Sequence, residues 1–225
     1  MPSVTLSSLR DQCKQRGDFV NSGFITDSEW ASYINQGIAA LYDILVSAYG
    51  EDYYATSYTF STVASTDTYA LPSTFYKSLG VDWRSTSGSG DWSTVERFNF
   101  TDRNKTKSTD LNYYADSPGL QYRLHGSNMV LSPVPTVSSQ QVQLHYVPTP
   151  TYLSADEDTW NFYAGYEDFV ISDAVIKAKA KQEDDVTSFI WMRTQAEQRI
   201  KASVPIRDVG EPQTITDVYA RNSRW

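Results

Sequence analysis

The spacing of apolar residues changes twice along this chain, and that change limits the folds that the chain can adopt. Between residues 26 and 50, apolar side chains recur every three or four positions, which is typical of a helix packed on one face. From about residue 53 to residue 150 they alternate with polar side chains, as in half-buried strands. A helical spacing returns over residues 154–203. The order of helices, strands and helices predicts an α+β protein.

Two helices are predicted before the strands. The first covers residues 4–16 and ends before Gly17. In the second, Thr26 and Glu29 have the spacing of a capping box, and Gly50 is a suitable residue just past the C-terminal end. The apolar residues of this second helix that we expect in the core are Trp30, Ile34, Ile38, Leu41 and Leu45.

A hairpin of two helices is predicted over residues 154–203. Residues 154–157 match a capping box for its first helix, and the acidic turn at residues 183–185 can cap its second. With the N-terminal helices, residues 1–50, this hairpin completes a helical bundle into which an antiparallel β segment, residues 51–153, is inserted. The residues of the hairpin that we expect in the bundle core are Phe162, Tyr166, Phe169, Val170, Phe189 and Ile190.

Charge and composition exclude several classes of protein. The net charge is −8 at pH 7 and the Lys and Arg residues are scattered, which disfavours binding along a nucleic-acid backbone. The N-terminus has no signal-peptide pattern, and no stretch approaches the ~20 apolar residues of a membrane span. The single cysteine, Cys13, excludes an intramolecular disulfide, and its position in the first helix indicates a small buried side chain.

No motif supports an enzyme. His125 falls in a predicted turn and His145 in a predicted strand, and neither has a cysteine nearby to complete a zinc site. The acidic clusters at residues 156–158 and 183–185 lie where helix N-termini are expected, and acids stabilise the helix dipole there. A glycosidase with paired carboxylates is therefore a distant alternative. We expect no catalytic residue, no metal and no cofactor.

Aromatic residues are frequent, with 16 Tyr and 6 Trp. On the face of a sheet, such rings can stack on sugars. One function that these residues suggest is therefore carbohydrate binding. In a virus particle with a tail, this would be a tail-associated carbohydrate-binding module that uses residues such as Tyr58 and Trp92. The simpler interpretation is that Tyr and Thr are good strand formers.

The last 22 residues, 204–225, carry apolar and basic side chains but no helical stripe. We interpret them as an extended arm, although chain termini are also commonly loose. An arm that becomes ordered on binding needs anchors. The candidate docking residues are Val218, Tyr219, Arg221, Arg224 and Trp225.

The chain resembles the head-to-tail adaptor (connector, or head-completion) proteins of tailed bacteriophages in four stretches that occur in the same order. The first is a capped helix with an acidic, Tyr-rich exit, and the second is a strand pair. The third is a hairpin with its exit strand, and the fourth is the final helical hairpin. In this sequence they run from FITDSEW to GEDYY (24–54), YALPSTF to GVDW (69–83), LQYRLHG to TPTYL (120–153) and GYEDFV to EQRI (165–200).

The resemblance implies a structural virion protein at the head–tail interface, assembled in the host cytoplasm. Such proteins form a ring, usually of twelve copies, below the portal, and they extend the DNA channel. The implied partners are the portal protein, a tail or nozzle protein and further copies of the chain. Genomic DNA is implied to pass through the lumen without specific binding. The arm is implied to dock on the portal, and the helices to form the ring wall.

Overall fold

The computed structural model describes residues 4–85, 90–103, 119–160 and 165–203. They form two compact units. One contains the residues up to Tyr49 together with those from Tyr152 onward, and the other is Gly50–Thr151. The first unit is mainly helical and the second is built of strands, so the predicted α+β class is confirmed.

Strands and helices are numbered here in chain order, as found within the described residues. The helices are α1 (Leu6–Gly17), α2 (Asp27–Tyr49), α3 (Glu167–Lys181) and α4 (Thr187–Ser203). The strands are β1 (Val4–Thr5), β2 (Thr56–Ser61), β3 (Thr68–Ala70), β4 (Phe75–Arg84), β5 (Ser93–Thr94), β6 (Glu96–Arg97), β7 (Gln121–His125), β8 (Asn128–Ser132), β9 (Gln141–Pro148) and β10 (Thr159–Trp160). Short 3-10 turns lie at Glu51–Tyr54 and Phe100–Asp102.

The N-terminus of α1 is held by a segment far away in the sequence. The predicted helix over residues 4–16 begins two residues late, because β1 pairs antiparallel with β10. The amide of Leu6 then donates to the carbonyl of Asp158 (3.0 Å), and the hydroxyl of Thr5 accepts from the amide of Ser8 (3.2 Å). These bonds satisfy amides that have no partner inside a helix.

The predicted capping box of α2 is confirmed. The amide of Glu29 donates to the Thr26 hydroxyl (3.3 Å), and the amide of Thr26 donates to Glu29 Oε2 (2.9 Å). The helix ends at Tyr49, before Gly50, whose φ of +87° favours glycine. The apolar stripe is buried against α1 and α3, and its members are Trp30, Ile34, Ile38, Leu41 and Leu45.

Because of Glu29, the stability of the helical unit depends on pH in the acidic range. Its pKa is lowered from 4.5 to about 2, first by a hydrogen bond from Lys181 and then by the Thr26 amide and hydroxyl. A carboxylate with a lowered folded-state pKa stabilises the protein above its unfolded pKa and loses that effect as pH falls. We therefore expect the free energy of unfolding to fall between about pH 4.5 and about pH 2. Urea denaturation at several pH values measures this.

Two variants isolate the effect of Glu29. In Glu29→Gln the loss should already be present at pH 7, and the dependence on pH in this window should be weaker. Lys181→Met removes the main cause of the lowered pKa, so the loss with falling pH should be smaller and should be complete at a higher pH. A Glu29→Gln curve that runs parallel to that of the unmodified chain would contradict the assignment.

The first helix of the predicted hairpin begins later than expected. Residues 154–157 form a turn, not a helix, in which Asp158 Oδ2 accepts from the amides of Ser154 (2.6 Å) and Ala155 (2.8 Å). These bonds lower the pKa of Asp158. A helix cannot start here, because β10 follows at once, and α3 begins only at Glu167. Phe162 lies outside the described residues. The other expected core residues of this segment are buried: Tyr166, Phe169 and Val170.

The second helix of the hairpin has its predicted cap, but part of its predicted core is wrong. Asp185 Oδ1 accepts from the amide of Thr187 (3.0 Å). Phe189 is only half-buried, and Ile190 is 50% exposed. The inward line of α4 runs through Ala196 and Ile200, and Ile190 lies about a quarter turn away from it at 100° per residue.

A buried carboxylate links α3 to α4. Asp173 in α3 accepts a hydrogen bond from Lys177 Nζ (2.6 Å), one turn along the same helix. Its other oxygen lies 2.9 Å from Nε of Arg193 in α4, a close ion pair in which the N–H is not well directed at the oxygen. The Arg193 guanidinium also lies 4.8 Å above the ring of Phe169. Polar contacts, and not only apolar packing, therefore join α3 to α4 at this point.

The second unit is a sandwich of two four-stranded sheets. Their strand orders are β2-β9-β4-β5 and β3-β8-β7-β6, and the pairings are antiparallel except for β6 with β7, which is parallel. Both sheets contribute to one apolar cluster. Its buried members are Val81, Val95, Tyr122, Met129, Leu131, Val142, Leu144 and Tyr146.

Between β5 and β6 the chain passes from one sheet to the other across a single residue. Strands β5 and β6 are separated only by Val95, and they pair with β4 and β7 respectively. The amide of Val95 donates to the carbonyl of Val81 (2.7 Å), and the Val95 side chain is buried in the shared cluster. The sequence WSTVERFNF, which alternates as a single strand would, therefore belongs to both sheets.

Candidate protein-interaction surface

The predicted docking residues of the arm lie outside the described residues. They are Val218, Tyr219, Arg221, Arg224 and Trp225. The described chain ends at Ser203, the last residue of α4. In the sequence, residues 204–225 follow Ser203.

Helix α4 exposes three consecutive large apolar side chains. Trp191 is 65% exposed, Ile190 50% and Met192 41%. Because successive residues of a helix are turned by about 100°, these side chains cover most of the outer side of the helix. The exposed residues of α4 from its start to Gln198 are all uncharged. We call this set the α4 face: Thr187, Ser188, Ile190, Trp191, Met192, Thr194, Gln195 and Gln198.

A groove of about 490 Å³ lies beside this face, within the helical unit. Trp191 and Met192 line it, and each charged side chain at its edge has a partner. Arg16 Nη2 lies 2.6 Å from Asp168 Oδ1. Arg199 donates to the carbonyl of Gly165. The remaining lining residues are Ser172, Gln195 and Ala196. An apolar centre with a polar rim is the usual arrangement of a protein interface.

The strand unit has a cavity of about 540 Å³. Its two arginine side chains, Arg103 and Arg123, contact other residues of the cavity wall. Arg103 and Arg123 both stack on the ring of Phe100, at 4.6 and 5.3 Å. Arg103 also donates to the carbonyl of Phe100 (3.0 Å), and Arg123 to that of Phe98 (3.3 Å). The two guanidinium groups therefore hold residues 98–103 in place.

The sheet places a serine, a histidine and an aspartate next to one another. His145 Nε2 lies 3.1 Å from Asp82 Oδ2, and Ser57 is the cross-strand neighbour of His145. A hydrolytic site also needs free N–H groups to stabilise an oxyanion. Strand β9 lies between β2 and β4, so its amides are used in the ladders on both sides. The arrangement fits a structural pair better than a catalytic one.

Other chemistry is similarly unsupported in the parts of the chain that the structure describes. There, no group of three or more His, Cys, Asp and Glu residues is placed to hold a metal ion. Cys13 is fully buried, and this burial raises the pKa of its thiol to about 12. Within the same ranges, no helix has the length and apolar character needed to span a membrane.

The two aromatic residues named for sugar stacking make contacts within the strand unit. Tyr58 lies on the edge strand β2, with its ring 6.1 Å from that of Phe60, which in turn stacks on Tyr69. Trp92 lies under the guanidinium of Arg84 at 4.4 Å. These contacts account for both rings within the strand unit, so they give no specific support to the carbohydrate-binding alternative.

A protein-family model described as SU10 adaptor protein matches residues 4–218 of this chain. The chain belongs to the SU10 adaptor protein family. A search of the curated proteins finds no match. The match covers both structural units and ends at Val218, the first of the predicted docking residues. As an SU10 adaptor, the chain is a structural component of a bacteriophage virion that interacts with head and tail components, in agreement with its resemblance to head-to-tail adaptors.

The helical pattern of this SU10 adaptor predicts Ile190 in the core, so it does not indicate the α4 face. A signal was present nonetheless. Ile190, Trp191 and Met192 are consecutive, and one face of a helix cannot bury three consecutive large side chains. At least one of them had to point away from the helical unit.

Proposed function

We propose that this chain forms a ring of about twelve copies below the portal of a tailed bacteriophage, extends the DNA channel and joins the capsid to the tail. The family match over residues 4–218 carries the proposal, because it includes both units and most of the proposed arm. The partners are the portal protein, a tail or nozzle protein and further copies of the chain. Assembly takes place in the host cytoplasm.

In this proposal the arm, residues 204–225, docks on the portal. Extended at about 3.3 Å per residue, it reaches roughly 70 Å from the end of α4. Tyr219 and Trp225 are apolar anchors, and Arg221 and Arg224 pair with carboxylates of the portal. Many weak arms on one ring add up to a tight attachment.

Genomic DNA passes through the ring without specific binding. The net charge of −8 supports this, because binding along a DNA backbone needs cations to replace the counterions of the phosphates. A channel of negative net charge does not retain DNA.

The proposal is tested by the native mass of the chain, alone and mixed with the portal protein of the same phage. The full-length chain should form one large complex with about one copy per portal subunit. A version that stops at Arg207 should keep its helical circular dichroism but fail to attach. If neither version forms a complex, the ring proposal is wrong, whereas attachment of the truncated version contradicts only the role of the arm.

A matched pair of arm variants tests the anchors themselves. Tyr219→Ala combined with Trp225→Ala should weaken attachment strongly, because it removes both apolar anchors. Thr214→Ala combined with Thr216→Ala changes the arm equally often without touching an anchor, so it should attach normally. Equal behaviour of the two pairs would show that these aromatic residues do not anchor the arm.

A further inference from the structure

We propose that the α4 face is the surface through which neighbouring copies of this chain contact one another. This inference rests on the proposed function, since a ring requires contacts between copies. It adds the part of the molecule that makes the contact, and it places Trp191 and Met192 at its centre.

The side chains of the α4 face have the composition of an interface core. Interface cores are depleted in charged residues and enriched in Trp, Tyr and Met, and a few such residues carry most of the binding energy. The exposed positions of α4 from Thr187 to Gln198 contain no charged residue, whereas 20% of the whole chain is charged. Trp191, the most exposed residue of this apolar group, lies at its centre.

The exposed apolar side of α4 also indicates that another molecule packs on this helix. A helix that is apolar on more than one side is normally buried on more than one side. Here Ala196 and Ile200 are buried within the helical unit, while Ile190, Trp191 and Met192 point elsewhere. The adjoining groove, with its rim of the Arg16–Asp168 ion pair and Arg199, offers a place for a side chain of the covering molecule.

The net charge of the chain limits the surfaces at which two copies in a ring can meet. Two copies that each carry a net charge of −8 repel each other, so they can meet only where neither presents excess negative charge. The α4 face meets this condition. A partner of a different kind is usually selected by charges of opposite sign across the interface. The α4 face has no charged residue, and the charges at the rim of the groove already have partners, Arg16 with Asp168 and Arg199 with the carbonyl of Gly165. Nucleic acid is disfavoured for the same reason, because the face offers no cation to phosphates.

The first test uses a photo-reactive residue. Benzoylphenylalanine is placed at Met192, and in a matched control at Val20, which is 60% exposed in the same unit but lies outside α4. Each full-length protein is mixed with the portal protein of the phage and irradiated, and the products are identified by mass spectrometry. The Met192 variant should give products of two or more copies of the chain, and the Val20 variant at least tenfold less.

The alternative occupants of the face are outcomes of this test. A product that joins position 192 to residues 204–225 of the same chain, to the portal protein or to nothing would overturn the inference. Normal attachment to the portal in that case would leave the proposed function intact. If neither variant formed a portal complex, the proposed function would fail, and the inference would fail with it.

A pair of substitutions gives an independent measure. Trp191→Glu places a charge at the centre of the face, and we expect it to weaken assembly of multiple copies about 30-fold, which corresponds to the loss of a hot-spot residue. Val20→Glu adds the same charge elsewhere on the unit and should change assembly less than threefold. Circular dichroism and thermal unfolding check that both variants fold. Equal effects of the two substitutions would attribute the loss to net charge and overturn the inference.

Discussion

Replacing Trp30 with alanine should lower the free energy of unfolding of the helical unit by about 3–5 kcal/mol, because it leaves a large cavity in a close-packed core. Trp30 is fully buried, and its ring makes edge contacts with the rings of Phe19 and Tyr33, at centroid distances of 5.3 and 6.3 Å. Urea denaturation followed by circular dichroism at the helical minimum measures the loss.

Two controls separate the cavity from other effects of this substitution. Trp30→Phe keeps an aromatic ring and removes an indole N–H that has no hydrogen-bond partner among the described residues, so its loss should be much smaller. Trp191→Ala makes the same chemical change at an exposed position of the same unit and, with the chain unassembled, should alter stability by about 0.5 kcal/mol or less. Similar losses at positions 30 and 191 would contradict the assigned packing.

Replacing Asp173 with alanine should cost about 2 kcal/mol, because Lys177 and Arg193 both lose their partner. Breaking a fully buried ion pair costs about 3–5 kcal/mol. We expect less here, since the side chains of Lys177 and Arg193 are 30% and 33% exposed and water can solvate the freed charges. Denaturation of the single variant measures the cost.

The matched control for Asp173 is Asp184→Ala, which breaks the ion pair with Lys179 on the surface of the same unit. That pair has a carboxylate that is 52% exposed, and such pairs contribute about 0–1 kcal/mol. A double-mutant cycle with Arg193→Met should show that Arg193 matters less once Asp173 is absent. Equal costs for the two aspartates would contradict a role for Asp173 in joining α3 to α4.

The parts of this fold that the sequence predicted are those determined by residues close together in the chain. The capping box of Thr26 and Glu29 needs residues three apart, and the cap at Asp185 acts on an amide two positions away. The hairpin predicted within residues 120–153 is likewise local, since β7 and β8 are joined by a short turn at Gly126. Such features follow from propensity and spacing alone.

The parts that were missed depend on partners far away in the chain. Val4 is a strand residue only because Trp160 pairs with it, and that same pairing prevents a helix from starting at residue 155. The burial of Asp173 in α3 does not follow from the local sequence, because its second cation, Arg193, belongs to another helix. The parallel pairing of β6 with β7 also depends on residues that are far apart in the sequence.

For the candidate site too, local patterns were predictable and long-range packing was not. The order of four local patterns was enough to indicate the adaptor family, and the family match confirms it. The direction in which Ile190 points was not predictable, because three consecutive apolar residues in α4 are compatible with more than one packed face. Only the position of α3 shows which of them remain outside.

The helical unit is assembled from the two ends of the chain, and this has a consequence for its synthesis. Helices α1 and α2 leave the ribosome first, but α3, which contacts both, begins about 120 residues after α2 ends. At roughly 5–20 residues per second, the apolar stripe of α2 therefore waits about 6–24 s for its partner. During that time the strand unit, whose pairings all lie within Gly50–Thr151, can fold alone. We expect the nascent chain to depend on chaperones in this interval, and to be least soluble when translation stalls before residue 167.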